Sequence, residues 1–99
     1  MTSILESVVE RKLVEGVEAL GGIADKVMAT TRRGFFDRIV LMPGGRVFFV
    51  ECKRPKRGRV SPHQKRRHAD YASRGATVVV LATLEQVETF IDALKRNIP

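Results

Sequence analysis

The run Gly34-Phe-Phe-Asp37-Arg-Ile-Val-Leu-Met-Pro43-Gly44-Gly45-Arg-Val-Phe-Phe-Val-Glu51-Cys-Lys53 decides how this chain folds. It reads as two apolar strands joined by a Pro43-Gly44-Gly45 turn, with Asp37 near the start of the first and Glu51 and Lys53 at the end of the second. Side chains alternate along a strand, so Asp37, Ile39 and Leu41 share one face, as do Val47, Phe49, Glu51 and Lys53. Whether the two sets meet depends on the turn. A two-residue Gly44-Gly45 loop sets Asp37 opposite Cys52. A three-residue Pro43-Gly44-Gly45 loop pairs Met42 with Arg46 and sets Asp37 opposite Glu51, their Cβ atoms about 5 Å apart. Proline early and glycine late suit a type I turn closed by a left-handed glycine. Two carboxylates brought together in this way repel, and the register calls for a compensating cation.

Upstream, Thr2 or Ser3 can cap a helix whose apolar positions Leu5, Val9, Leu13, Val17 and Leu20 recur at helical spacing, with Gly21-Gly22 as its stop. At 100° per residue, Glu6 falls inside that apolar stripe and Glu10 at its edge, while Glu15 and Glu18 point away. Residues 23–29, including Lys26, read as a strand, followed by a polar, basic loop over 30–34. Downstream of the hairpin, residues 54–59 form a basic loop broken by proline and glycine. Ser61-Pro62-His63-Gln64 opens a helix by rule, with a serine cap, a first-turn proline and a glutamine three residues beyond the cap. That helix runs to about Ser73 with only Ala69, Tyr71 and Ala72 for apolar contact, and Gly75 ends it. The β-branched run 76–82 reads as a strand covered on both faces. Thr83 caps a last helix with Leu84, Val87, Ile91, Leu94 and Ile98 on one stripe. The order of elements predicts an α/β fold, a mixed sheet with helices on both faces.

The chain has 99 residues, which is one domain (1–99) by length, with roughly 60–70% of the unfolded surface buried. No apolar run approaches the ~18 residues of a membrane span. The first 21 residues are acidic and periodic rather than signal-like, so a cytoplasmic, nucleoid-associated protein is expected. A single cysteine, Cys52, excludes an internal disulfide and a thiolate metal cluster, and reads as a small buried hydrophobe. Eighteen Lys and Arg against eleven Asp and Glu give a net charge of +7, which favours a polyanionic partner, above all nucleic acid.

Two acids and a lysine converging at the end of a hairpin in a basic domain suit metal-dependent phosphodiester cleavage. Mg²⁺ or Mn²⁺ takes a few carboxylate oxygens and keeps several waters. Asp37 and Glu51 are the expected ligands, with the backbone carbonyl of Cys52 as a third oxygen. Lys53 is placed to position the attacking water or to stabilise charge on the phosphate.

Asp37 followed by Glu51-Cys52-Lys53 resembles the PD-(D/E)xK nuclease signature. The wider pattern is similar to the VRR-NUC domain. Its matching features are a Glu-bearing first helix ending in Gly-Gly, Lys26, Arg33-Gly34-Phe35-Phe36-Asp37-Arg38, Pro43-Gly44-Gly45-Arg46, Glu51-Cys52-Lys53, Ser61-Pro62-His63-Gln64 and Gly75. This resemblance implies a restriction-endonuclease-like αβββαβ core with a C-terminal helix added, and Mg²⁺- or Mn²⁺-dependent cleavage of branched DNA. Stand-alone phage or prophage members of the family resemble homodimeric Holliday-junction resolvases. By position the resemblance places the metal acids on Asp37 and Glu51, the lysine on Lys53, the helix acid on Glu10 with Glu6 as its alternative, and a site glutamine on Gln64. Phe36 stands where the signature has proline, which puts the stiffness of the approach to Asp37 in question. Flaps, nicked or duplex DNA are alternative substrates, and a non-catalytic basic DNA-binding module is the rival reading.

Lys26, Arg32, Arg33, Arg54, Lys56, Arg57, Arg59, Lys65 and Arg66 flank the expected site and suit phosphate contacts that do not read bases. With no Trp and one Tyr there is no stacking platform for single strands. His63 and His68 lack metal-ligand spacing and read as surface or phosphate-contacting residues.

Overall fold

The computed structural model describes residues 6–28, 36–53 and 61–97. The expected caps Thr2 and Ser3, the basic loops over 30–34 and 54–59, and Ile98 lie outside or largely outside them. The elements follow in the order α1 (Glu6–Ala19), β1 (Ile23–Lys26), β2 (Arg38–Met42), β3 (Arg46–Cys52), α2 (Pro62–Ala72), β4 (Thr77–Leu81) and α3 (Leu84–Arg96). The strands form one mixed sheet in the order β1-β2-β3-β4. The first three make an antiparallel meander, and β4 returns parallel to β3 after α2 has crossed the sheet. This is the expected αβββαβ core with an added C-terminal helix.

The hairpin has the three-residue loop. Met42 pairs with Arg46 and Arg38 with Val50, the register that brings Asp37 and Glu51 to the same strand end. The regular ladder stops there, and the Asp37 amide donates to the carbonyl of Val50, the partner of Arg38, at 3.1 Å. The turn type differs from the type I expected. Gly44 has φ 92° and the Gly45 amide donates to the Met42 carbonyl at 3.0 Å, the geometry of a type II turn with proline second and glycine third. Gly45, at φ 83°, is a second left-handed residue, and it returns the chain to β3.

Alternation along β3 divides the helices between the two faces of the sheet. Phe48 meets Phe90 of α3, ring centroids 5.4 Å apart, while Phe49 meets Tyr71 of α2 at 4.9 Å. The main core lies on the Phe48 face, where Val9, Leu13 and Val17 of α1 and Val87 and Leu94 of α3 close over Val40, Met42, Val50 and Cys52. Helix α1 stops as predicted. The Gly21 amide bonds the Glu18 carbonyl and the Gly22 amide the Val17 carbonyl, with Gly21 at φ 83°, which is a Schellman ending.

The Phe49 face carries a smaller, aromatic layer. Phe36, 2% exposed, stacks on His68 at 4.8 Å and meets Phe49 at 5.3 Å and Tyr71 at 5.1 Å. This changes two expectations. Ala69 and Ala72 are exposed, so α2 docks through Tyr71 and His68 instead, and His68 is part of the packing rather than a surface residue. Strand β4 is not enclosed on both faces. Among the described residues it is the last strand of the sheet, paired with β3 alone, and Val80 is 39% exposed.

Candidate active site

The register and the docking of α2 together gather four of the expected residues. Glu51 projects from β3 toward α2 and is 1% exposed. Asp37 reaches across the strand end, where its Oδ2 accepts from the Cys52 amide at 2.8 Å. The Lys53 ammonium lies 3.0 Å from Glu51 Oε2. Gln64 completes the group from the first turn of α2, its Nε2 donating to Glu51 Oε2 at 2.7 Å.

Gln64 serves both of the roles that its position suggests. Its Oε1 accepts from the Ser61 amide at 3.1 Å while the Ser61 hydroxyl accepts from the Gln64 amide at 3.1 Å, a complete capping box. The amide side chain therefore has its oxygen on the helix cap and its nitrogen on Glu51. Helix start and acid are joined through one residue.

Glu10 lies at the edge of the core face of α1, where the helical wheel puts it, but it is claimed by an arginine. Its Oε1 accepts from Arg38 Nε at 2.8 Å, and Arg38 Nη1 also donates to the Ala24 carbonyl at 2.8 Å. Arg38 alternates with Val40 and Met42, so it belongs to the core face of the sheet, opposite Glu51. Glu10 thus meets the strand end from the other side of β2 and β3. Glu6 opens α1 and is exposed. Among the described residues no three His, Cys, Asp or Glu side chains gather as a closed metal cage.

Of the expected DNA-contacting residues, Lys26 ends β1 and is exposed, and Lys65 and Arg66 are exposed on α2. Arg32, Arg33, Arg54, Lys56, Arg57 and Arg59 lie outside the described residues.

The comparisons agree with this fold. A solved structure described as a VRR_NUC domain superposes with a TM-score of 0.83 at 37% sequence identity, covering 88% of this chain and 94% of its own. The protein p44 of Acyrthosiphon pisum secondary endosymbiont phage 1, named as a candidate nuclease, is 43% identical over 81 residues, which is 82% of this chain and 86% of the relative. The chain belongs to the VRR-NUC family. No family model matches it.

The electrostatics of this VRR-NUC domain centre on Glu51. Burial, and then the charge of Asp37, push its carboxyl up to about 7, with Lys53 opposing the rise. The Cys52 thiol is pushed up to about 12 by burial and by the charges of Asp37, Glu10, Glu51 and Glu6. Acids from both sides of the sheet are thus felt at one backbone position. A fully buried thiol held protonated is inert, as expected for a packing residue. His68 is shifted down, by burial and by the Lys53 charge.

Sequence reasoning missed Arg38 as the partner of Glu10, and His68 as a neighbour of Lys53. Both left a signal. Alternation puts Arg38 on a core face, where a cation needs an acid, and His68 lies four residues after Gln64 on the same side of α2.

The Glu51 shift predicts a pH dependence in the cation-free protein. A folded carboxyl near 7, against an ordinary 4.5, holds its proton where the unfolded chain has lost it. The resulting stabilisation is full below about pH 4.5 and is lost as pH rises through 7, about 3 kcal/mol over that window. In EDTA, the melting temperature of the native protein should fall relative to Glu51→Gln between about pH 5 and pH 8. Parallel melting curves for the two proteins across that range would show that Glu51 does not titrate there.

Among the described residues no helix is long and apolar enough to cross a membrane.

Proposed function

We propose that this nuclease of the VRR-NUC type is a Mg²⁺- or Mn²⁺-dependent, structure-specific DNA endonuclease that cuts four-way junctions as a homodimer. The observation that carries the reading is the convergence of Asp37, Glu51, Lys53 and Gln64 at one strand end, in a chain of net charge +7.

The residues fit a hard divalent cation. Glu51 Oε1 is buried and has no hydrogen-bond partner among the described residues, although Oε2 has two. A buried acceptor left unpaired next to a second carboxylate is costly, and a cation relieves both the missing partner and the repulsion. Magnesium sites commonly use one or two carboxylates together with water and substrate phosphate, so an open pair suits them better than a closed cage. Asp37 and Glu51 would hold the ion, with the Cys52 carbonyl as a third oxygen. When bound, the ion supplies Lewis-acid activation of water and neutralises charge on the phosphate, the chemistry of a hydrolysis that leaves a 5′-phosphate end.

The chain's own residues do the positioning. The Cys52 amide fixes the rotamer of Asp37, and Gln64 fixes Glu51 from the cap of α2. Lys53 brings a cationic proton donor beside Glu51, where it can orient water or stabilise a phosphate oxygen. Arg38 holds Glu10 in place on the α1 side, and the pair brings no net charge to the strand end.

A four-way junction needs two symmetric cuts, whereas one chain supplies one such group of residues, which supports action as a two-fold dimer. The phage protein among its relatives is consistent with cytoplasmic work on phage or nucleoid DNA.

The test is a panel of labelled four-way junction, flap, nicked and duplex DNA incubated with Mg²⁺, Mn²⁺ or EDTA, alongside sizing by light scattering. Cleavage of the junction with either cation, none in EDTA, and a dimer are expected. A monomer that cuts flaps or nicks instead would reassign the substrate. Binding without cation-stimulated cleavage of any DNA would leave only a non-catalytic DNA-binding module.

A further inference from the structure

Helix α2 leads from the active site to a second polar feature. Gln64, Arg67, Tyr71 and Arg74 follow one another at spacings of three or four residues, so they line one side of the helix and its C-terminal turn. Arg67 lies about 5 Å along the axis from Gln64. Beyond it opens a cleft of about 420 Å³ lined by Arg67, Asp70, Tyr71 and Arg74. Its floor is fixed, because the Tyr71 ring is held edge-on by Phe36 and Phe49.

Arg67, which lines the cleft, carries an unmet demand for an acceptor. Arg67 Nε is buried and has no hydrogen-bond partner among the described residues. Arg74 Nη1 is turned back onto the Asp70 carbonyl at 2.8 Å and the Ser73 hydroxyl at 3.5 Å, which holds its guanidinium at the rim. A buried guanidinium N–H without an acceptor is costly unless a ligand supplies one, and the planar guanidinium fork matches two phosphate oxygens.

We propose that the Arg67–Tyr71–Arg74 cleft is a second anchoring site for the DNA backbone, taking a phosphodiester group away from the one that is cut. The inference rests on the reading of DNA as substrate. Two arginines outweigh the one carboxylate in the cleft, and Asp70 moderates the grip. The cleft fixes the direction in which the strand leaves Gln64 and Glu51, so it orients the substrate without touching the reacting phosphate.

The experiment measures binding of a labelled four-way junction to the intact chain in EDTA, by anisotropy over a series of salt concentrations. Arg67→Gln and Arg74→Gln should each lower the slope of log affinity against log salt by about one. Each should also weaken binding about tenfold at 0.1 M salt. Asp70→Asn, which removes a negative charge and leaves both arginines, should tighten binding severalfold. Unchanged slopes in the arginine variants, or no tightening in Asp70→Asn, overturn the proposal, and the second result does so even if an arginine variant fails to fold. If the native protein binds and cleaves DNA while the slopes stay unchanged, the second site alone falls. If the native protein does not cleave but the arginine variants lose slope, the nuclease reading falls and the second site stands.

Discussion

Asp37→Asn should cleave a labelled four-way junction in Mg²⁺ about a thousandfold more slowly than the native protein, or not at all. Removing a ligand of a catalytic cation forfeits several kcal/mol of charge stabilisation, and each 1.36 kcal/mol is a factor of ten in rate. The asparagine variant separates charge from architecture. Its side-chain oxygen can still accept from the Cys52 amide, as Asp37 Oδ2 does at 2.8 Å, so the end of β3 keeps its restraint. Asp37→Ala loses that hydrogen bond as well and should be both inactive and modestly less stable. Binding of the junction in EDTA should survive both changes, because the basic residues are the ones proposed to contact the DNA backbone. Lys53→Ala should be equally defective in cleavage, since it removes the only ammonium within 4 Å of Glu51 among the described residues. Native rates in Asp37→Asn or Lys53→Ala would refute the mechanism.

Phe36→Ala should be the most damaging single truncation on the α2 face, costing about 3–5 kcal/mol and lowering the melting temperature by roughly 15 °C or more. Phe36 is 2% exposed and contacts Phe49, His68 and Tyr71, so its removal leaves a cavity between α2 and the sheet. Cleavage should fall with stability, because α2 carries Gln64 onto Glu51. Phe36→Leu, which refills much of the volume, should recover most of both. Phe36→Pro restores the proline of the nuclease signature yet should resemble the alanine variant, because here the approach to Asp37 is stiffened by packing. Thermal unfolding of the three variants, with cleavage measured on each, checks this. A proline variant as stable and active as the native protein would show that local backbone stiffness is what matters.

The parts of the fold set by counting residues were legible in the chain. The length of the Pro43-Gly44-Gly45 loop fixes which residues of β2 and β3 meet. The helix start at Ser61 is fixed by cap and glutamine at a spacing of three and that at Thr83 by its cap, and both sites form capping boxes. The turn type was not legible, because Gly44 and Gly45 adopt positive φ with equal ease and either can be the glycine that closes the turn. Nor was the position of β4 at the sheet edge. Its β-branched run reports apolar surroundings, but strand order is a property of the assembled sheet. At the site, alternation and register brought Asp37, Glu51 and Lys53 together without tertiary information. Glu10 shows where such reasoning ends, since a helical wheel gives the side on which a carboxylate lies and not the Arg38 that claims it. His68 and Arg67 escaped for a related reason. In a helix with no fully buried residue, composition does not distinguish a solvated cation from one that lines a cleft.

The left-handed pair Gly44 and Gly45 bears on which kinds of genetic change this site can absorb. Replacing a strand residue alters one side chain and leaves its neighbours where they were. Deleting one codon from the turn, or adding one, would turn over every side chain of one strand relative to the other. Glu51 would then exchange places with Cys52 or Val50, and a carboxylate would enter the apolar core while an apolar residue took the place of the acid. Strand residues away from Asp37, Glu51 and Lys53 can therefore be exchanged one at a time, while the length of the turn is held.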